Sequence, residues 1–275
     1  MAAWNWRDGA AGLVEIDGRR LEAVSFGPPP EAAPTLVLLH EGLGSVALWR
    51  DIPERLAAAT GWGVFAYSRF GYGHSASTPL PRPMTYMHEE AQIVLPQVLR
   101  AAGIGRAVLI GHSDGGSIAA IHAGTPCLAG DLPGGLVGLI TIAAHFFVEE
   151  LNIQSIRLIA DAYETGDLRE RLARYHRDVD TAFWGWNKAW LDPRFRAFDI
   201  TGFLPAIRVP ILALQGADDP YGTDEQLKVF ATRARAPIET RLIPEARHSP
   251  HLEAKETTLG VIIDFVTTLK RGLGA

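Results

Sequence analysis

The chain has 275 residues, 47% of them apolar, and 26 Lys and Arg against 31 Asp and Glu give a formal net charge of −5. A chain of this length can bury a full core, and one α/β domain with an insertion fits it. The mild, evenly spread acidity removes the electrostatic reason to expect nucleic acid or an anionic membrane as a partner. The single cysteine, Cys127, excludes an intramolecular disulfide and points to a reducing, cytoplasmic setting. Cys127 has no Cys or His partner at metal-ligand spacing, so it reads as structural and no metal is expected. The N-terminal residues carry charge early and lack an apolar h-region, so no secretory signal is expected. The longest apolar run, residues 132–148, is broken by glycines and a histidine and is shorter than a membrane span needs.

In chain order, residues 14–16 and 21–26 flank Asp17-Gly18 and predict an opening hairpin. Thr35–Leu39 is a continuous apolar run, as expected of a strand covered on both faces, and a helix is predicted over 49–59. Gly63–Tyr67 is the next buried strand, followed by a helix over 86–101 that Pro96 should kink. A short strand over 107–110 then turns into a small-residue helix, and 138–143 reads as another strand. From 145 to 206 the strand–helix alternation stops, and only helical patterns rich in Arg, Trp and Phe remain; Leu168 to Arg177 reads as a solvated face. Alternation resumes with a strand over 210–214, a helix over 224–235, a strand over 239–243 and a last helix over 253–271. That last helix sets Leu259, Ile262, Ile263, Val266 and Leu269 on one stripe. The pattern predicts a mostly parallel sheet covered by helices on both faces, with a core of residues 1–144 and 207–275 and an inserted helical cap over 145–206.

The stretch after the 107–110 strand is G-x-S-x-G, Gly111 to Gly115. A strand that reverses into a helix within so few residues holds its serine in a strained conformation, so the flanking side chains must nearly vanish. Ser113 is thereby raised above the carboxyl end of the sheet, where ligands gather in such folds. Acyl transfer to a serine needs a base, a carboxylate to orient the base, and two N–H donors for the developing oxyanion. Three further strand ends supply candidates: His40-Glu41-Gly42 after residue 39, Gln215 to Pro220 after 214, and Arg247 to Glu253 after the last strand. The order Ser, Asp, His is complete, with each member just past a strand.

Five segments, HEGLGS (40–45), SRFGYGHS (68–75), GHSDGG (111–116), QGADDP (215–220) and RHSPHLE (247–253), resemble the α/β-hydrolase family, in family order and over nearly the whole chain. The resemblance implies an eight-stranded α/β-hydrolase fold with Ser113 as nucleophile, Asp219 as acid, His248 as base and no cofactor. It places the oxyanion donors on the backbone of Gly42 and Asp114. Asp218 is the rival to Asp219; His251, His112 and His40 are expected to be structural, His40 bracing the oxyanion loop. Arg247 stands where the family usually has Gly, and Ser68 where many members have Asp. Serine rather than a carboxylate at 113 disfavours the dehalogenase and epoxide-hydrolase branches.

Glu41, His145, Phe146, Trp184, Trp186, Trp190 and Tyr221 are the candidates for a substrate pocket, since large aromatics rarely stay exposed at such density. The expectation is a serine hydrolase of small to medium carboxylic esters with an apolar or aromatic acyl group. C–C bond hydrolase, thioesterase and perhydrolase chemistry remain open on the same residues, as does a non-catalytic ligand receptor. The partner expected is a small-molecule substrate, for a monomer or homodimer.

Overall fold

The computed structural model describes residues 4–126 and 135–274. Cys127 and residues 132–134 of the long apolar run lie outside them. The chain opens with the antiparallel pair β1 (Ala10–Ile16) and β2 (Arg19–Phe26), turned at Asp17 and Gly18, both at positive φ. Next come β3 (Thr35–Leu39), α1 (Ile52–Thr60), β4 (Gly63–Tyr67), α2 (Tyr86–Glu89) and α3 (Leu95–Ala101). Then β5 (Ala107–His112) leads into α4 (Asp114–Ala123) and β6 (Leu136–Ile142). After the insertion, which holds α5 (Glu150–Thr165), α6 (Leu168–Ala173) and α7 (Val179–Leu191), the chain continues as β7 (Ile211–Gly216), α8 (Glu225–Arg233), β8 (Ile238–Ile243), α9 (Pro250–Glu253) and α10 (Lys255–Leu273).

Among the described residues the strands form one eight-stranded sheet in the order β1-β2-β4-β3-β5-β6-β7-β8, parallel from β4 to β8 and antiparallel at its β1–β2 end. The apolar runs explain the layering, because successive strand side chains point to opposite faces. On β3, Leu36 and Leu38 face α1 and α10, whereas Val37 and Leu39 face the core shared with α2, α3 and α4. The α10 stripe is buried at Leu259, Ile262, Val266 and Leu269, and Ile263 is only half-buried at its margin. Each fully buried Leu or Ile of that stripe contributes about 1.5–3 kcal/mol relative to exposure.

Two predicted helices are subdivided. A 3₁₀ turn, Val46–Trp49, precedes α1, which starts with Pro53 in its first turn. Between α2 and α3 the chain widens into a π turn, Glu90–Val94, just before Pro96. Proline has no N–H and its ring crowds the carbonyl four residues back, and a wider turn relieves both conflicts. No helix among the described residues is long and apolar enough to cross a membrane.

The insertion lies over the carboxyl ends of the strands and is latched there by polar contacts. α5 begins with a reciprocal capping box between Glu149 and Asn152, and α7 with the Asp178 carboxylate accepting from the Thr181 amide. His176 accepts from the Gly73 amide at 3.0 Å through Nδ1 and donates to the Leu43 carbonyl at 2.9 Å through Nε2. Burial keeps the His176 imidazole pKa below the usual value, which preserves this one-donor, one-acceptor arrangement.

Candidate active site

The turn from β5 to α4 is the local feature that the rest of the site surrounds. Ser113 sits at φ 53°, ψ −120°, a conformation that costs a non-glycine residue about 1–3 kcal/mol. A Cβ on Gly111 would strike the Gly115 carbonyl, and one on Gly115 would strike the Leu39 carbonyl, so both flanking positions need glycine. The strain is sustained because β3 and β5 pack the elbow from below.

Ser113 Oγ lies 2.9 Å from His248 Nε2. Nδ1 of the same ring lies 3.0 and 2.9 Å from the two carboxylate oxygens of Asp219. Asp219 also accepts from Gln215 Nε2 at 2.5 Å and from the Tyr221 amide at 2.8 Å. Burial opposes ionisation of Asp219, but its bond to His248 and the adjacent charge outweigh that and hold its pKa below the usual carboxylate range. An ionised Asp219 draws the ring proton to Nδ1, leaving the Nε2 lone pair toward the serine hydroxyl. Asp218, one residue earlier, is exposed.

The loop after β3 is braced from beneath. His40 Nε2 accepts from the Arg69 amide at 3.0 Å, and the buried Arg69 guanidinium donates to the carbonyls of His40 and Glu41. Gly42 follows, and the Trp186 indole from α7 occupies the space that a Cβ on Gly42 would need. Asp114 begins α4, where the helix leaves its first N–H groups without intrahelical acceptors. Its side chain turns away into a buried network, accepting from Tyr86 Oη at 2.6 Å and Trp190 Nε1 at 3.3 Å.

A cavity of about 140 Å³ opens beside Ser113. Glu41, Gly42, Asp114, Tyr221 and His248 line it from the core, and His145, Trp186 and Trp190 from the insertion. The Glu41 carboxylate reaches His112 Nδ1 at 3.4 Å. Burial opposes ionisation of Glu41, yet the His112 contact prevails and lowers its pKa strongly. The Tyr221 ring lies 4.6 Å from that of His248, and burial pushes its hydroxyl pKa up to about 12.

Two pocket expectations are corrected. Phe146 packs on Phe230 at 4.6 Å, is fully buried and belongs to the core beneath α8, not to the cavity wall. Trp184 packs on Tyr163 and Phe183 under Lys188, since it lies about 200° around α7 from Trp186. Leu43, Asn152 and Ile156 also line the cavity and were not singled out by sequence. For Asn152 and Ile156 the sequence signal is their four-residue spacing, which puts them on one helix face; Leu43, in the loop after β3, has no such signal. A larger groove of about 770 Å³ lies at the other end of β6 to β8, against α10, remote from Ser113. Among the described residues no three His, Cys, Asp or Glu side chains converge as metal ligands would.

A strained serine on a strand-to-helix elbow, above a mostly parallel sheet, defines a hydrolase framework. A family model described as the alpha/beta hydrolase family matches residues 36–259, and the chain belongs to that family. Epoxide hydrolase B of Mycobacterium tuberculosis is 33% identical over 107 residues, a stretch that spans 39% of this chain and 29% of that relative. Among solved structures, VinJ is 26% identical at a TM-score of 0.69, covering 96% of this chain and 100% of its own. The proline iminopeptidase of Mycobacterium smegmatis is 18% identical at a TM-score of 0.74, again over 96% and 100% of the two chains.

Proposed function

We propose that this chain is a serine hydrolase that cleaves small carboxylic esters through an acyl-enzyme on Ser113. The observation that carries the reading is the relay from Asp219 through His248 to Ser113, with every link at 3.0 Å or less. His248 Nε2 takes the Ser113 proton as Oγ attacks the ester carbonyl. The amides of Gly42 and Asp114 stabilise the oxyanion, and His248 returns the proton to the departing alkoxide. Water, deprotonated by the same imidazole, then releases the acid. The 140 Å³ cavity and its Trp186, Trp190, Leu43 and Ile156 walls suit a small acyl group that is largely apolar.

The name of the M. tuberculosis relative invites an epoxide-opening reading, which in this family calls for a carboxylate nucleophile. Position 113 is serine, and the neighbouring Asp114 carboxylate is engaged by Tyr86 and Trp190. C–C, thioester and peracid chemistry use the same relay, and a substrate panel separates them from ester cleavage. A receptor that binds without turnover is separated by a fluorophosphonate probe. Covalent labelling together with ester turnover, both lost in Ser113→Ala, supports the enzyme; binding without labelling supports the receptor. Ester turnover that persists in Ser113→Ala would overturn the reading.

A further inference from the structure

His145 lines the cavity but takes no part in the relay. Its backbone is pinned to α4 twice, since Ser117 Oγ donates to its carbonyl at 2.6 Å and accepts from its amide at 3.2 Å. Its ring is stacked on His248 at 5.7 Å and meets the Trp190 indole edge-on at 5.3 Å. Its Nδ1 lies 3.4 Å from Asn152 Nδ2. The orientation of that amide is fixed, because Asn152 Oδ1 accepts from the Glu149 amide at 2.5 Å and Nδ2 also donates to the Tyr221 carbonyl. Asn152 therefore presents an N–H to His145, and Nδ1 must offer its lone pair. A neutral imidazole with Nδ1 as acceptor carries its proton on Nε2. Burial, reinforced by the neighbouring His248, pushes the His145 pKa down to about 3, so the ring stays neutral at working pH. Among the described residues Nε2 meets no protein acceptor.

We propose that His145 is a specificity residue whose Nε2–H reads a second acceptor oxygen in the acyl group of the substrate, such as the oxo group of a 3-oxoacyl ester. The inference rests on the ester-hydrolase reading for the identity of the substrate, but not for the contact itself. An ordinary alkanoyl group offers this donor no acceptor, and a hydrogen bond forgone at a largely apolar cavity wall is worth roughly tenfold in affinity. The outer walls, Trp186 and Ile156, accept the rest of the chain without polar demand.

The test compares ethyl 3-oxobutanoate with ethyl butanoate, two esters of equal length that differ at one carbonyl. Both are titrated against the Ser113→Ala protein by quenching of tryptophan fluorescence, since Trp186 and Trp190 face the cavity. The oxo ester should bind about tenfold more tightly. Adding His145→Phe keeps the ring but removes the donor, and the ratio should fall to near one. Adding Asn152→Asp instead places an acceptor at Nδ1, draws the proton away from Nε2, and should also abolish the preference while His145 remains. A ratio near one in Ser113→Ala, or a preference that survives both substitutions, would overturn the proposal. Tight, His145-dependent binding alongside absent ester turnover in the unmutated chain would strike the hydrolase reading and leave His145 as a binding determinant.

Discussion

The backbone carbonyl of His248 accepts a 2.7 Å hydrogen bond from Nε2 of His112, the residue immediately before Ser113. The elbow that raises Ser113 thus also anchors the loop that carries the His248 imidazole, so one turn holds both groups of the proposed relay. Replacing His112 with Phe keeps the ring volume against His251, 4.6 Å away, but leaves the His248 carbonyl without its donor and the Glu41 carboxylate without its His112 contact. We expect kcat to fall about tenfold with KM changed by less than about twofold, since near-attack alignment suffers before binding does. Steady-state kinetics on a chromogenic acetate ester provide the check. An unchanged kcat would show that the carbonyl contact does not position the base.

The loop that carries Gly42, the proposed oxyanion donor, packs directly against Trp186 of α7. Gly42→Ala puts a methyl group where the Trp186 indole now sits, so the loop or the indole must give way. Loss of one oxyanion donor lowers kcat by about 10²–10³. Trp186→Ala in the same chain removes the obstacle and should recover at least about tenfold of that loss, a non-additivity expected of residues in contact. Independent, additive effects in the double-mutant cycle would contradict the steric coupling.

The Asp114 carboxylate joins α4 to the insertion through Trp190 and lies 3.9 Å from the buried guanidinium of Arg69. Asp114→Ala leaves the Tyr86 hydroxyl without its acceptor and the buried Arg69 cation without its carboxylate, while Trp190 Nε1 keeps only its 3.1 Å bond to Tyr86 Oη. The substitution should cost about 3–5 kcal/mol of unfolding free energy. Asp114→Asn keeps one acceptor and should cost about half as much. Urea titration of the three proteins measures both. Equal stability of the three would mean that this network does not hold the insertion down.

Acid should destabilise the fold well above the range in which surface carboxylates titrate. His40, His145 and His251 are all held below the ordinary histidine value, chiefly by burial. A depressed imidazole is neutral when folded but gains a proton when unfolded, so the unfolded chain binds more protons below about pH 6.5. Stability is therefore full above that pH and falls as pH drops toward the folded values. For His145 the window runs from about 6.5 down to about 3, at roughly 1.4 kcal/mol per pH unit. Asp219 and Glu41, both held below the usual carboxylate range, add losses in the same direction at lower pH. Urea midpoints at pH 7.5, 6 and 5 should descend, and His145→Phe should flatten the descent. The buried carboxyls of Glu90 and Asp114, which burial holds above the usual range, act in the opposite sense. The decisive comparison is therefore between the two proteins: the same pH dependence with and without His145 would contradict a buried neutral imidazole there.

The sheet was legible because its central strands are apolar runs flanked by Gly, Pro and polar turns, and β3 and β4 begin and end where those runs do. The relay was legible for a different reason: each member follows a strand end, and so tight a turn at Ser113 demands glycine on both sides. Sequence was less informative where both sides of an element are covered. Phe146 and Trp184 are as aromatic as Trp186 and Trp190, and only the phase of the chain, not composition, separates cavity wall from core. Asn152 is not legible in the sequence as a cavity residue, because its roles as cap partner and cavity wall come from one amide placed by tertiary contacts. The π turn before Pro96 likewise has no periodic signature, since it widens a helix without interrupting its apolar face.

Rapid-quench mass spectrometry during turnover of a p-nitrophenyl ester tests most directly whether the hydroxyl of Ser113, activated by His248, is the nucleophile. The expected result is a burst of about one nitrophenolate per chain, with the acyl group found on the peptide bearing Ser113 and the burst abolished in His248→Ala. Turnover without an acylated Ser113 peptide, or a burst that survives loss of the imidazole, would contradict it.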